Sequence, residues 1–241
     1  CPTAKTPQDW VIHTEHTRTL ANIISQSRLT THRTTGTLIA HVPRPLPLQD
    51  PIIRWICGDP SDIDDRTDAY VDGSIKNAKW TPLCTAGAAI VIVNPRGHLT
   101  AAATIRLPST VATAAEAELW ALDLLLALSA VKPRRVFTDC KSILTSAKQG
   151  PVATCSASSP LAASWTRIAA SIDGDYDNLL RRLVWAPAHQ SAAKALQSTR
   201  SDGQPMTITD WRANEAADVL AKAGADVRKP MPAAVAFLRL A

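Results

Sequence analysis

The order of short elements along the chain predicts an α/β fold. Three β-prone runs follow one another, and helical patterns then alternate with two further strands. The first of those helices opens on a capping signature. The full order reads β-β-β-α-β-α-α-β-α, a five-stranded arrangement with no internal repeat.

Ala69-Tyr-Val-Asp72 is the first strand, and Gly73-Ser74 is expected to turn the chain at its end. Ala86 to Val93 is a run of small and branched apolar residues that stops at Asn94-Pro95, with Arg96-Gly97 completing a hairpin-like turn. His98 to Leu107 alternates and stops at Pro108, so the three strands predict an antiparallel meander. Thr113-Ala-Ala-Glu116 spells a capping box, in which hydroxyl and carboxylate satisfy orphan amides reciprocally. Leu119, Leu122, Leu125, Leu126 and Ser129 recur at helical spacing until Pro133 ends the helix. Arg135-Val-Phe-Thr-Asp139 is the fourth strand, and Ser142 to Lys148 a short helix closed by Gly150. A further helix runs from about Leu161 to Ile172, and Leu183-Val-Trp-Ala-Pro187 is the last strand. Residues 191–210 read as a polar loop turning at Arg200-Ser-Asp-Gly203, and Asn214 to Ala223 as the last helix.

Residues 1–66 differ in character. A weak apolar period (Leu20, Ile23, Ile24) precedes Val42-Pro-Arg-Pro-Leu-Pro-Leu-Gln-Asp-Pro51, whose prolines remove backbone donors and favour extended backbone. The acidic stretch Ser61-Asp-Ile-Asp-Asp65 follows. Residues 1–66 are therefore read as a linker or the end of a preceding domain, 67–228 as the main domain and 229–241 as a C-terminal tail.

The 241 residues are 46% hydrophobic and 20% charged, an ordinary globular composition that excludes wholesale disorder. No uncharged apolar run approaches the ~18 residues of a membrane helix. The most apolar stretch, Ala114 to Val131, is interrupted by Glu116, Glu118 and Asp123. No secretory pattern opens the chain, and the absence of an initial Met is read as marking a piece of a longer polypeptide. Five scattered cysteines with no CxxC pair argue against a zinc site or a disulfide framework and fit a reducing, intracellular setting. The net charge of +5 is compatible with a nucleic-acid partner.

Four acidic residues carry the candidate chemistry. Asp72 and Asp139 end strands, while Glu118 and Asp218 lie in helices. If strands one and four are neighbours, Asp72 and Asp139 stand side by side. Carboxylates gathered in this way repel one another unless a cation neutralises them. Hard oxygen ligands select Mg²⁺ or Mn²⁺, and two such ions ~3.5–4 Å apart activate a water and stabilise a leaving oxygen. Each assignment has a plainer rival. Glu116 competes with Glu118 but has the capping task, and Glu215 competes with Asp218. Asp72 could only form a turn, Asp139 could cap the helix from Ser142, and His189 could be an ordinary loop residue. Trp120 and Trp185 read as core; Trp211, beside Arg212, reads equally as core or as a stacking platform. Lys132, Arg134, Arg135, Arg181 and Arg182 are either solvated ends or phosphate contacts, and Cys140 is a small filler.

Tyr70-Val-Asp-Gly-Ser74, Ala117-Glu-Leu-Trp-Ala-Leu122, Phe137-Thr-Asp139, Val184-Trp-Ala-Pro-Ala-His189 and Asn214-Glu-Ala-Ala-Asp-Val-Leu-Ala221 together resemble, in order, the signature segments of the ribonuclease H family. They span roughly residues 67–224. Arg200-Ser-Asp-Gly203 and Asp210-Trp-Arg-Ala-Asn214 resemble in particular the ribonuclease H domains attached to reverse transcriptases of non-LTR retroelements. The resemblance implies a mixed five-stranded sheet with helices on both faces. It implies a nuclease that cuts the RNA strand of RNA–DNA hybrids with two Mg²⁺ ions, Mn²⁺ being able to substitute, and that leaves 5′ phosphates. Asp72 would bridge both ions, Glu118 and Asp139 hold the leaving-group side, Asp218 bind the ion that activates water, and His189 assist proton transfer or product release. Gly73, Ser74, Lys141 and Arg212 would contact the hybrid, and a reverse transcriptase domain would adjoin in the same polyprotein. Where family members carry Asn or Gln before the helical Glu, this chain has Ala114 and Ala115, and 29 residues separate His189 from Asp218. The alternatives are a catalytically inactive nucleic-acid-binding or structural module, and a DNA-cutting relative; the presence of all four carboxylates favours an enzyme.

Overall fold

The structure is a computed structural model that describes residues 50–78 and 84–226, all within the compact unit Pro47–Arg228. Strands β1 (Ile52–Cys57), β2 (Asp68–Lys76), β3 (Thr85–Val93) and β4 (Leu99–Arg106) precede helix α1 (Ala114–Leu128). Then come β5 (Arg135–Thr138), α2 (Lys141–Ala147), α3 (Gly150–Thr154), α4 (Ala162–Ser171) and α5 (Tyr176–Arg182). Strand β6 (Leu183–Trp185), the short α6 (Ala192–Ala195) and the long α7 (Ile208–Asp226) complete the order. The apolar period at Leu20, Ile23 and Ile24, the proline run up to residue 49 and the tail 229–241 lie outside the described residues.

The strands form one mixed sheet in the order β1-β4-β3-β2-β5-β6. The meander β2-β3-β4 is antiparallel, as its sequence predicts, while β5 runs parallel to β2 and β6 parallel to β5. The sheet has six strands where five were expected. The extra one, β1, comes from the stretch read as a linker and pairs antiparallel with β4. The prolines of the run Val42–Pro51 precede Ile52 and Pro60 follows Cys57, so the ladder donors stay intact. From Ile53 on, a period of two turns Ile53 and Trp55 against the core and leaves Ile52 and Ile56 exposed.

Strand alternation divides the core into two layers. Ala69, Val71, Ile90 and Ile92 pack with Leu119, Leu122 and Leu126 of α1. Tyr70, Ala89, Val91 and Phe137 pack with Ala213, Ala217 and Ala221 of α7. Helices thus cover both faces. The alanine stripe of α7 lets its backbone lie close to the sheet, and a side chain at Gly224 would meet the carbonyl of Ile105.

Three local expectations are corrected. The first strand does not turn at Gly73-Ser74: β2 continues to Lys76, with Gly73 opposite Ala88 and Ser74 opposite Gly87. Gly73 is required because α1 crosses there, and a Cβ would meet the backbone of Ala117 and Glu118. The Thr113 hydroxyl does cap α1 by accepting from Glu116 N at 3.1 Å, but the Glu116 carboxylate reaches back to Ala112 N at 3.0 Å. Helix α7 begins six residues before Asn214, inside the stretch read as loop. There Thr207 N donates to Asp210 Oδ2 at 2.8 Å and Asp210 N donates to Thr207 Oγ1 at 3.1 Å, the reciprocal pattern of a capping box.

No helix among the described residues is long and apolar enough to cross a membrane. Cys57, Cys84, Cys140 and Cys155 are unpaired.

Candidate metal centre

Parallel pairing of β5 on β2 sets Tyr70 opposite Phe137, so Asp72, midway along β2, and Asp139, one residue past β5, stand at the same level. The close crossing at Gly73 brings Glu118 of α1 to them. Asp72, Glu118 and Asp139 each offer a carboxylate oxygen, and these atoms lie within 4.8 Å of one another. Asp72 and Glu118 are 6% and 5% exposed, so water screens their charges poorly. Among the described residues no lysine or arginine forms an ion pair with any of the three; only His189 Nε2 approaches, 3.7 Å from Asp139 Oδ2.

The electrostatics follow from this crowding. Burial above all, with the charges of Asp139 and Asp218, pushes the Asp72 carboxyl up to about 6 against an opposing hydrogen bond from Glu118. Glu118 rises well above the usual carboxylate range, first through burial and then through the charges of Asp72 and Asp139. Without a counter-cation the cluster therefore holds its protons to higher pH than solvated carboxyls do. A hard divalent cation would displace them and accept three oxygen donors at once, so the donor set fits Mg²⁺ or Mn²⁺.

Supporting contacts hold the trio. The Thr138 hydroxyl is buried, donates to Glu118 Oε2 at 3.3 Å and accepts from Cys140 N at 3.1 Å. Trp185 Nε1 donates to the Asp139 carbonyl at 2.8 Å. Asp139 is not a helix cap, because α2 starts after Cys140 with no side-chain capping bond. The rival Glu116 is occupied with Ala112 N. Asp218, from α7, lies outside the tight trio but close enough for its charge to raise Asp72; its Oδ2 accepts from Lys222 Nζ at 2.6 Å.

The remaining expected residues divide. His189 projects into solvent with its backbone at φ 56, and Lys141 lies exposed with its ammonium 5.6 Å from the Trp185 ring. Arg212 is exposed on α7, whereas Gly73 and Ser74 are half-buried within β2. Several cations offered as phosphate contacts are engaged inside the protein. Arg134 and Arg135 both grip Asp68, Arg182 donates to the Lys132 and Pro133 carbonyls, and Lys132 donates to the Leu126 and Ser129 carbonyls.

Residue spacing did not reveal the network behind the site. Asp210 Oδ1 accepts from the Tyr70 hydroxyl at 2.6 Å, and Oδ2 accepts from Arg200 Nη1 at 3.0 Å. Arg200 also forks onto Asp202 through Nε and Nη2. Arg200-Ser-Asp-Gly203 is thus a turn whose arginine binds the start of α7, while Tyr70 fastens the same aspartate to β2. Thr207-x-x-Asp210 was the signal in the sequence that pointed there.

A mixed α/β sheet with a three-carboxylate cluster, two of its members buried, where β2 passes the end of its parallel neighbour β5 defines a domain suited to holding a divalent cation. No protein-family model matches the chain, and no curated protein matches it. Among solved structures, the chain is similar to the PFV RNase H domain, with 21% identity and a TM-score of 0.46 over 68% of this chain and 96% of that one. It is similar to the prototype foamy virus protease–reverse transcriptase, with 24% identity and a TM-score of 0.46 over 66% of this chain. It is also similar to the foamy viral protease–reverse transcriptase in complex with RNA/DNA hybrid, with 15% identity and a TM-score of 0.44 over 90% of this chain. The chain spans 21% and 29% of those two longer proteins.

Proposed function

We propose that this chain is a metal-dependent endonuclease that hydrolyses the RNA strand of RNA–DNA hybrids, as the ribonuclease H portion of a retroelement polyprotein carrying an adjacent reverse transcriptase. One observation carries the reading: Asp72, Glu118 and Asp139 come from three separate elements to within 4.8 Å, with no lysine or arginine among the described residues paired to them. Fold stability alone gives no reason to gather such charges.

When bound, two Mg²⁺ ions, or Mn²⁺ in their place, supply the charge that offsets the carboxylates, activation of the attacking water and stabilisation of the leaving oxygen. Asp72, Glu118 and Asp139 would hold the ions, and Asp218 would join them from α7. Deprotonation of Asp72 and Glu118 accompanies loading, which ties ion binding to pH. His189, exposed and within 3.7 Å of Asp139, is free to hold or release a proton at Nε2. Lys141 and Arg212 orient the duplex through its phosphates, and the backbone at Gly73 and Ser74 meets the RNA strand.

The test is cleavage of a labelled RNA–DNA hybrid in Mg²⁺ or Mn²⁺, beside duplex DNA, duplex RNA and Asp72→Asn. Hybrid-only cutting that ends in 5′ phosphates and disappears in the variant is the expected result. Cutting of duplex DNA would reassign the substrate. Salt-sensitive binding with no cutting would make the chain an inactive binding module, with Ala114 and Ala115 the first residues to restore to Asn and Gln.

A further inference from the structure

We infer that Trp211 is a positioning residue for His189, fastening the histidine loop to the helix that carries Asp218. The inference rests on the nuclease reading for its kinetic consequence and on geometry for its substance.

His189 adopts φ 56, a left-handed conformation that costs a non-glycine residue about 1 kcal/mol or more. Such a conformation persists where its surroundings dictate it. The restraint falls on the next residue. Gln190 accepts from Trp211 Nε1 at its backbone carbonyl, 3.0 Å away, and from the Ser198 hydroxyl at its side-chain oxygen, also 3.0 Å away. On the other side of His189, β6 is fixed by Trp185, whose backbone N donates to Ser201 Oγ at 2.8 Å and whose indole donates to the Asp139 carbonyl. The loop is held at both ends while the imidazole itself stays 70% exposed.

Trp211 is half-buried and stands seven residues before Asp218 on α7. Seven residues make about two turns, roughly 10.5 Å of rise, and return to nearly the same face. One rigid helix therefore sets both the Asp218 carboxylate and the anchor of the His189 loop. The base of that helix is fixed in turn by Asp210, through Tyr70 and Arg200. This arrangement gives a role to the long stretch between His189 and Asp218. Its residues Ser198 and Ser201 tie the loop internally, and Trp211 closes it onto α7.

The experiment compares Trp211→Phe, His189→Ala and the double variant in the full chain. Phenylalanine keeps the ring and removes the indole donor. One readout is hybrid cleavage, with kcat and KM separated; the other, in the metal-free protein, is the NMR mobility of the His189 ring. Trp211→Phe should lower kcat roughly 3- to 10-fold, the scale of one hydrogen bond, with KM little changed and with a more mobile His189 ring. In the His189→Ala background it should change kcat less than 2-fold, because the group it positions is gone. An equal loss in both backgrounds, or an unchanged His189 ring, would overturn the inference. If Trp211→Phe does not fold, Ser198→Ala removes the second tether of Gln190 from a half-buried site and is judged by the same criteria. If the wild-type chain cuts no hybrid, the nuclease reading fails, while the ring mobility still decides whether Trp211 holds His189.

Discussion

The Tyr70 hydroxyl donates to Asp210 at 2.6 Å, joining β2 to the first turn of α7 across 140 positions of chain. Tyr70 lies two residues before Asp72 and Asp210 two turns before Asp218, so this bond links the elements that carry two of the four candidate ligands. Asp210 is 3% exposed, and the Arg200 side chain it also binds is 4% exposed. Tyr70 stacks on Phe137 with ring centres 4.5 Å apart, and the Arg200 guanidinium lies over the same Phe137 ring.

Asp210→Ala should therefore be costly. It leaves Arg200 only its fork onto Asp202 and strands the Tyr70 hydroxyl and the Thr207 amide, each unmade bond costing about 1–3 kcal/mol. Tyr70→Phe removes one donor only and should cost about 1–3 kcal/mol. Urea unfolding of both variants checks the order; equal stability of the two would contradict the network.

The metal-free protein should lose stability as pH rises through the acid range. An unfolded Asp72 titrates near ~4, whereas the folded one is raised to about 6. The folded state thus binds this proton more tightly than the unfolded chain. Its stabilising contribution is complete below about pH 4 and is lost as pH rises past about 6. Glu118 shifts in the same direction. Asp72→Asn should recover about 2 kcal/mol at pH 7 in chelator, seen as a higher Tm, and saturating Mg²⁺ should recover stability in the wild type. A variant no more stable than wild type in chelator would show that the trio is not repulsive.

Gly73→Ala probes the crossing of β2 and α1. The added methyl would meet the backbone at Ala117 and Glu118, which cannot rotate away. The loss should be about 1–3 kcal/mol, with hybrid cleavage reduced more than stability explains because Glu118 moves. Wild-type cleavage in a folded Gly73→Ala protein would separate Glu118 from the chemistry.

Hybrid binding, measured with Asp72→Asn to prevent cutting, should weaken steeply with salt. Lys141→Ala and Arg212→Ala should each reduce the log–log slope by about 1 if each meets one phosphate. An unchanged slope for either removes that residue from the interface.

The trio was legible in the sequence because its members stand beside strong punctuation: Asp72 before Gly73-Ser74, Asp139 at the end of a short strand-forming run, Glu118 just inside a capped helix. The meander and α1 were legible for the same reason. Strand β1 was not, because the neighbouring prolines masked a two-residue period only six positions long. The role of Gly73 was misread since glycine next to an acid signals a turn, and only the third dimension shows a helix crossing there. Arg134 and Arg135 looked available for phosphate because their shared partner, Asp68, lies more than 60 positions away. The early start of α7 was marked by Thr207 and Asp210 but hidden within a polar stretch.

Strand β1 bears on how this protein can be handled. A piece beginning at residue 67 would strip β4 of one of its two antiparallel neighbours and leave the ladder groups that face β1 over Ala102–Arg106 open to water. Open ladder edges recruit strands from other molecules, and uncovering core side chains beneath Ile53 and Trp55 would add an adhesive patch. Such a shortened piece should self-associate on concentration, whereas one that begins upstream of Ile52 keeps β4 and the core beneath it covered. Light scattering on the two lengths would separate them, and an insoluble truncated domain would reflect a lost neighbour strand, with no bearing on the chemistry of the carboxylates.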